Sequence, residues 1–158
     1  MDKINRKRVV VTGLGAITPL GNTVAEYWEG LLSGRNGIDT ITLFDASKHD
    51  CRIAGEVKGF DPCDYVTRKE AKRMDRFAQF AVSASQQAIA DAGFVIDDLN
   101  AEQVGVIIGT GIGGLKILEE QHEIYRTRGP ERCSPFMIPM MITNMAAGLT
   151  AIQLGAKG

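Results

Sequence analysis

The sequence lacks an excess of charge of either sign. Its 18 lysines and arginines are offset by 19 aspartates and glutamates, which leaves a formal net charge of −1. Broad attraction to nucleic acid or to an anionic membrane needs a basic excess that this chain does not have. Disorder is also excluded, because an apolar content of 44% is enough to bury a hydrophobic core.

Cysteine is scarce, and its spacing has no pattern that suggests pairing. Cys51, Cys63 and Cys133 form no CxxC pair, and an odd number of cysteines does not suit a disulfide framework. Residues 1–8 are polar and charged, with no apolar secretory segment. Together these observations predict a protein of the reducing cytoplasm.

Charged residues are absent from residues 133–156. A membrane span needs about 20 consecutive apolar residues, and Pro135 and Pro139 interrupt this stretch. We therefore expect no membrane segment. The pattern predicts an uncharged helix from Met140 to Leu154 that is buried in protein on nearly every side.

Strands and helices alternate in the predicted order of elements. Residues 7–13 and 104–108 are β-branched runs that predict short buried strands. A glycine-containing loop follows each run. The next element is then a helix, capped by Asn22 after the first run and ending near Arg128 after the second. This order predicts an α/β fold with a mainly parallel sheet.

The central part of the chain contains a capping box. Thr67 and Glu70 have the spacing that satisfies two free amides at a helix start, and they predict one long helix to Ala92. The inner face of that helix is rich in small residues, so another backbone is expected to pack unusually close to it. Because the sequence stops just after an apolar helix, where another strand is expected, residues 1–158 are predicted to be one domain that is incomplete at its C-terminal end.

Gly109, Gly111 and Gly114 match the dinucleotide-binding fingerprint and lie between a predicted strand and a helix. An acidic residue at the end of the following strand is missing, since Glu131 has no strand before it. The alternative is that these glycines let the loop approach another backbone or a substrate chain. A dinucleotide-binding oxidoreductase is therefore the third-ranked hypothesis.

No metal site and no nucleophile are predicted. Glu119 and His122 match one of the two Glu-x-x-His motifs that a carboxylate-bridged metal site needs, and the sequence has no second copy. A solvated helix face is therefore the better interpretation. A reactive cysteine needs a base within reach and a field that lowers its pKa. None of the three cysteines has such a sequence context.

A basic helix face lies opposite the apolar stripe of the central helix. It consists of Lys69, Lys72, Arg73 and Arg76. A solvated face is the simplest interpretation, and an acidic protein partner is the functional one. Aromatic residues for base stacking are missing there, which argues against single-stranded nucleic acid.

Several segments resemble a known family in order along the chain. Residues 8–21 are similar to the opening of the condensing enzymes of fatty-acid and polyketide synthesis, and residues 73–80 to the start of their alanine-rich helix. Residues 109–114 resemble their acyl-pocket loop, and residues 134–148 the segment upstream of their nucleophile. The likeness covers essentially the whole chain and is greatest to elongating β-ketoacyl-acyl-carrier-protein synthases of type II.

This resemblance implies a thiolase-like fold of alternating α/β/α/β/α layers in a cytoplasmic homodimer, with this chain as most of the N-terminal half. The implied activity is decarboxylative Claisen condensation of malonyl-carrier protein with an enzyme-bound acyl thioester. The implied cysteine nucleophile lies beyond residue 158, and no catalytic residue lies within the chain. No cofactor is expected, because the acyl carrier protein carries the phosphopantetheine. Fatty-acyl and malonyl thioesters are the implied substrates.

The resemblance also assigns roles to individual residues. Its acyl pocket corresponds to Ile112, Phe136 and Met137, of which Met137 is expected to reach across the dimer. Its docking surface for the acidic carrier protein corresponds to Lys69, Lys72, Arg73 and Arg132. The main alternative from another class is an inactive fragment, or a partner subunit of the chain-length-factor type that lacks the nucleophile.

Overall fold

The computed structural model describes residues 7–158, so what the sequence predicts for residues 1–6 lies outside the described part. Its six α-helices within that range are listed here in chain order: α1 (Val24–Leu32), α2 (Arg68–Ala71), α3 (Arg76–Asp91), α4 (Leu115–Arg128), α5 (Met137–Met141) and α6 (Met145–Leu154). Short 3-10 turns lie at Pro62–Asp64, Ala101–Gln103 and Pro130–Arg132. No helix within residues 7–158 is long and apolar enough to cross a membrane.

The sheet found among the described residues is small. Strands β1 (Asp39–Thr40) and β2 (Ile53–Ala54) pair antiparallel, with Asp39 opposite Ala54. The strands predicted at residues 7–13 and 104–108 are not formed, and each segment has exposed apolar side chains: Val9 is 89% and Ile107 is 100% accessible. A strand needs a neighbour that completes its hydrogen-bond ladder, and within residues 7–158 neither segment has one.

Helix α3 is the centre of the core, and α6 packs along it. The buried cluster contains Val66, Ala71, Met74, Ala78 and Val82. Several fully buried residues of these two helices are small or short: Ser83 and Thr150 are each 1% exposed and Ala146 is 0% exposed. Ser83 lies outside the inner face that the sequence predicts for this helix.

The close backbone approach that the small residues predict is confirmed. A Cβ atom placed on Gly13 or Gly15 would collide with the carbonyl groups of Ala88 and Ala84 on α3. Residues 13–16 run along α3, and side chains hold them there. Asp91 accepts a hydrogen bond from the Leu14 amide at 2.8 Å, and Gln87 accepts one from the Ala16 amide at 3.1 Å.

The prediction of one long helix from Thr67 to Ala92 is wrong. The capping box of Thr67 and Glu70 is present, but α2 ends at Ala71 and α3 begins only at Arg76. Asp75 has extended backbone angles (φ −74°, ψ 163°) and caps α3. Aspartate is a better cap than an interior helix residue, because its side chain competes for backbone amides.

The uncharged C-terminal segment also differs from its prediction. Instead of one helix from Met140 to Leu154, α5 and α6 are separated at Ile142, which has extended angles (φ −72°, ψ 139°). The segment is not buried on nearly every side, since Ile152 is 72% exposed. Helix α6 ends at Gly155 in the left-handed conformation (φ 77°), as the sequence predicts.

One helix start differs from its prediction, and one helix end agrees with it. Helix α1 is capped by Thr23 and not by Asn22, whose side-chain amide donates to the Lys58 carbonyl at 3.0 Å instead. The predicted end of α4 at Arg128 is confirmed.

Candidate functional site

The glycine-containing loop at residues 109–114 leads into α4 and borders an apolar surface cavity of about 350 Å³. The cavity is lined by Ile112, Gly114, Leu115, Leu118, Met141, Ile142 and Thr143. Ile112 is 69% exposed, so its side chain is free of tight packing within the described structure. An apolar cavity lined by exposed, branched side chains has the chemistry to accept a hydrocarbon chain.

The end of this loop rests against the break between α5 and α6. The Gly114 amide donates to the Met141 carbonyl at 2.9 Å. Gly113 has a positive φ of 83°, and a Cβ atom there would collide with the same carbonyl. The glycines therefore permit a close backbone contact, which is the second of the two interpretations that the sequence leaves open.

The structure separates the three residues assigned to the acyl pocket. Ile112 lines the apolar cavity, whereas Phe136 and Met137 are not among its lining residues. Phe136 is 38% exposed and lies beneath a guanidinium group, with the Arg73 Cζ atom 4.5 Å from the ring centroid. Met137 is half-buried at the start of α5. A common pocket for all three residues stays a prediction.

The residues assigned to docking are all exposed. Lys69 lies on α2, Lys72 and Arg73 lie in the α2–α3 break, and Arg132 ends the 3-10 turn after α4. We call these four residues the basic surface. The contact between Arg73 and Phe136 brings the α2–α3 break against the segment that follows Arg132.

Arg76 does not belong to this surface, although the sequence places it on the same helix face. Its guanidinium donates to the Val57 carbonyl at 3.0 Å and lies 4.8 Å from the centroid of Phe80 and 5.7 Å from that of Phe60. The break before α3 changes the direction in which this residue faces. The arginine is therefore half-buried and binds its own chain.

Two side chains that link separate segments are missed by sequence reasoning. Asp75 caps α3 and also accepts from the Ile117 amide of α4 at 3.3 Å. Gln121 is 6% exposed, and its side-chain oxygen accepts from the Ser134 amide at 2.6 Å, which ties the segment before Phe136 to α4. The only sequence signal for Gln121 is one uncharged residue in a run of glutamates and a histidine.

The cysteines and histidines are not assembled into a catalytic arrangement within residues 7–158. Partial desolvation and the adjacent Asp61 carboxylate raise the pKa of the Cys63 thiol, which opposes thiolate formation. The His49 ring packs edge-on against Phe44 at 5.5 Å, and His122 is exposed on α4. No cluster of potential metal ligands is found in this part of the chain.

The family model for the N-terminal domain of β-ketoacyl synthases matches residues 6–158. The chain therefore belongs to the β-ketoacyl synthase family.

Two named relatives are similar over nearly the whole chain. The chain is 68% identical over 158 residues to 3-oxoacyl-[acyl-carrier-protein] synthase 2 of Synechocystis sp., covering 100% of this chain and 38% of that protein. It is 49% identical over 152 residues to the Staphylococcus aureus (strain N315) protein of the same name, covering 96% and 37% respectively. The chain thus spans well under half the length of these relatives.

Solved structures show the same fold. The ishigamide ketosynthase/chain length factor superposes with a TM-score of 0.85 at 33% identity, over 96% of this chain and 38% of that chain. The type II PKS complex AntDE:AntF, described as an acyl-carrier protein with its ketosynthase bound to the hexaketide, has a TM-score of 0.79 at 23% identity, over 96% and 40%. These likenesses confirm the predicted α/β, thiolase-like fold class, although the predicted parallel strands are not formed within residues 7–158.

Proposed function

We propose that the protein to which this chain belongs elongates fatty-acyl chains by decarboxylative condensation. The observation that carries the proposal is the 68% identity over all 158 residues to 3-oxoacyl-[acyl-carrier-protein] synthase 2. The apolar cavity beside Ile112 supports it, because a condensing enzyme must hold a hydrocarbon chain next to its nucleophile.

The reaction takes place in two stages. A cysteine thiolate attacks the acyl thioester of the carrier protein, the acyl group moves to sulfur, and the phosphopantetheine thiol leaves. Malonyl-carrier protein then loses carbon dioxide, and the resulting carbanion attacks the enzyme thioester and expels the cysteine thiolate. The nucleophile is placed beyond residue 158, so residues 1–158 form most of the N-terminal half of the catalytic unit, and no cofactor of its own is required.

The role proposed for this chain is to bind substrate and carrier protein. Ile112 controls entry to the apolar cavity, and Phe136 and Met137 complete the acyl pocket, with Met137 contributed across a homodimer. The basic surface of Lys69, Lys72, Arg73 and Arg132 binds an acidic acyl carrier protein. A carrier protein as the partner is supported by the complex of an acyl-carrier protein with a ketosynthase in a structure of the same fold. The protein is placed in the cytoplasm, with its carrier-bound substrates.

The test is the intact mass of the natural gene product before and after incubation with a long-chain acyl-carrier protein. We expect a gain of one acyl group, and then β-ketoacyl-carrier protein after malonyl-carrier protein is added. A protein that gains no mass from an acyl-carrier protein of any chain length would contradict the proposal.

A second candidate is a partner subunit that lacks the nucleophile. It is supported by the similarity to the ishigamide ketosynthase/chain length factor, at a TM-score of 0.85. This candidate predicts no acyl gain by the protein alone. Instead, a stable complex with a separate ketosynthase subunit would be recovered after co-expression.

A further inference from the structure

The carboxylate of Asp75 connects two helices that are far apart in sequence. One of its oxygens accepts a hydrogen bond from the amide of Arg76, the first residue of α3. The other accepts from the amide of Ile117 in α4 at 3.3 Å, across a separation of 42 residues. Asp75 is half-buried, so water competes less for these bonds than at an exposed site.

Helix α4 has no side-chain cap of its own. Its N-cap residue is Gly114, and the cap makes no side-chain hydrogen bond. A capping side chain ordinarily accepts from the amide of the second or third residue of its helix, and Ile117 is the third residue of α4. Asp75 therefore supplies from another helix the acceptor that Gly114 lacks. Its negative charge also suits the positive end of the helix dipole.

Gly114 leaves the space that this carboxylate occupies. A Cβ atom at Gly114 would lie 2.8 Å from the Asp75 Oδ2 atom and 2.9 Å from the Ile117 Cγ2 atom. The amide of Gly114 is itself bonded to the Met141 carbonyl. The end of the loop is thus held on two sides, by Met141 through its backbone and by Asp75 through the first turn of α4.

The same carboxylate lies between the two regions assigned to substrate and carrier. On one side, Asp75 bonds to the helix that follows the loop, and the loop holds Ile112 at the edge of the apolar cavity. On the other side Asp75 ends the α2–α3 break, which holds Lys72 and Arg73 of the basic surface. A displacement of this break would therefore be transmitted to the start of α4.

We propose that Asp75 is a positioning residue: it fixes the C-terminal end of the Ile112 loop, and hence the mouth of the apolar cavity, relative to the basic surface. Its consequence for catalysis rests on the proposed condensing function. The structural part, a cap supplied to α4 by a different helix, is independent of that function and can be measured without it.

The experiment compares Asp75→Ala, Asp75→Asn and a control, Asp91→Ala, in the natural full-length protein. Asp91 is the matched control because its carboxylate also accepts from a distant backbone amide, that of Leu14 at 2.8 Å, away from the loop. Amide hydrogen exchange is followed at residues 115–118. The ratio of kcat/KM values for dodecanoyl- and hexanoyl-carrier protein is measured with the same samples.

Asp75→Ala is expected to speed exchange at the Ile117 amide about fivefold, the factor that corresponds to a typical lost cap. It is also expected to change the chain-length ratio by at least about threefold, because the mouth of the cavity is no longer held in one position. Asp75→Asn keeps one side-chain oxygen as acceptor and should give intermediate values. Asp91→Ala should leave both readouts at the wild-type values.

Unchanged exchange at residue 117 in Asp75→Ala overturns the proposal. Faster exchange with an unchanged chain-length ratio overturns the positioning role and leaves only a structural cap. If the wild-type protein transfers no acyl group, the proposed function fails, and the exchange measurement alone decides the Asp75 contact. If Asp75→Ala does not fold, Asp75→Asn provides the same comparison.

Discussion

The guanidinium of Arg73 lies 4.5 Å from the centroid of the Phe136 ring. This contact joins a residue of the basic surface to a residue assigned to the acyl pocket, so two sites inferred separately from sequence are neighbours in space. A cation over an aromatic face at an exposed position contributes about 0.5–1 kcal/mol. The arginine is thereby held in place before any partner binds.

A double-mutant cycle tests this contact. Arg73→Ala and Phe136→Leu, alone and combined, are expected to show a coupling of about 0.5–1 kcal/mol in the free energy of unfolding. Urea denaturation provides the measurement. The control cycle combines Phe136→Leu with Arg68→Ala, a substitution at an exposed arginine on α2, and should show additive effects. Additivity in both cycles would mean that the Arg73 contact contributes nothing to stability.

Glu70 makes stability depend on pH in the acid range. Hydrogen bonds from the Thr67 hydroxyl, the Gln153 side chain and the Thr67 amide lower the pKa of Glu70 from 4.5 to about 2. A lowered pKa contributes stability that is present above pH 4.5 and is lost as the pH falls toward about 2. We expect Glu70→Gln to weaken this acid dependence, as measured by urea midpoints across that range. The control Glu102→Gln, at an exposed glutamate, should retain the wild-type profile, and an unaltered profile in Glu70→Gln would contradict the assignment.

Enlarging residue 112 should shorten the acyl chain that the full-length protein accepts. The phenyl ring of Ile112→Phe would occupy part of the cavity of about 350 Å³ at its edge. We expect the ratio of kcat/KM for dodecanoyl-carrier protein to kcat/KM for hexanoyl-carrier protein to fall roughly tenfold or more. This change is equivalent to the loss of one or two buried methylene groups. The control is Ile152→Phe, the same change at a residue of α6 that is 72% exposed and does not line the cavity. Equal losses for both substrates would refute the gating role.

Reversing charge on the basic surface should weaken binding of the carrier protein. The double variant Lys69→Glu/Lys72→Glu replaces attraction by repulsion, and screening by salt should reduce the difference from wild type as ionic strength rises. Isothermal titration at low and high salt measures both effects. Lys48→Glu, at an exposed lysine outside this surface, is the control. Wild-type affinity of the double variant at low salt would exclude this docking surface.

A side chain at Gly15 should destabilise the fold. The Cβ atom of Gly15→Ala would collide with the Ala84 carbonyl on α3. Forcing extra atoms into a packed contact costs about 1–3 kcal/mol, which chemical denaturation would detect. Gly109→Ala is the control, because nothing lies within 4 Å of its added Cβ. Equal stability of the two variants would show that the backbone near Gly15 relaxes freely.

Features specified by neighbouring residues or by small side chains could be predicted from the sequence. The Thr67–Glu70 capping box, the end of α6 at Gly155 and the close approach to the small residues of α3 are all present. The assignment of Ile112 to the acyl pocket came from resemblance and stays a prediction. The strands predicted at residues 7–13 and 104–108 are not formed, because a strand needs a neighbour that completes its hydrogen-bond ladder. No such neighbour is present within residues 7–158.

The sequence by itself determined the Thr67–Glu70 capping box and the helix ends at Arg128 and Gly155, because caps and turns act over a few residues. Motifs spread along the whole chain indicated the family. Only the tertiary structure decided the break before Asp75, the inward direction of Arg76 and the contact of Arg73 with Phe136. It also decided that Asp75 caps a helix 42 residues away. These relationships depend on how whole helices pack against one another, and no local pattern of residues specifies that geometry.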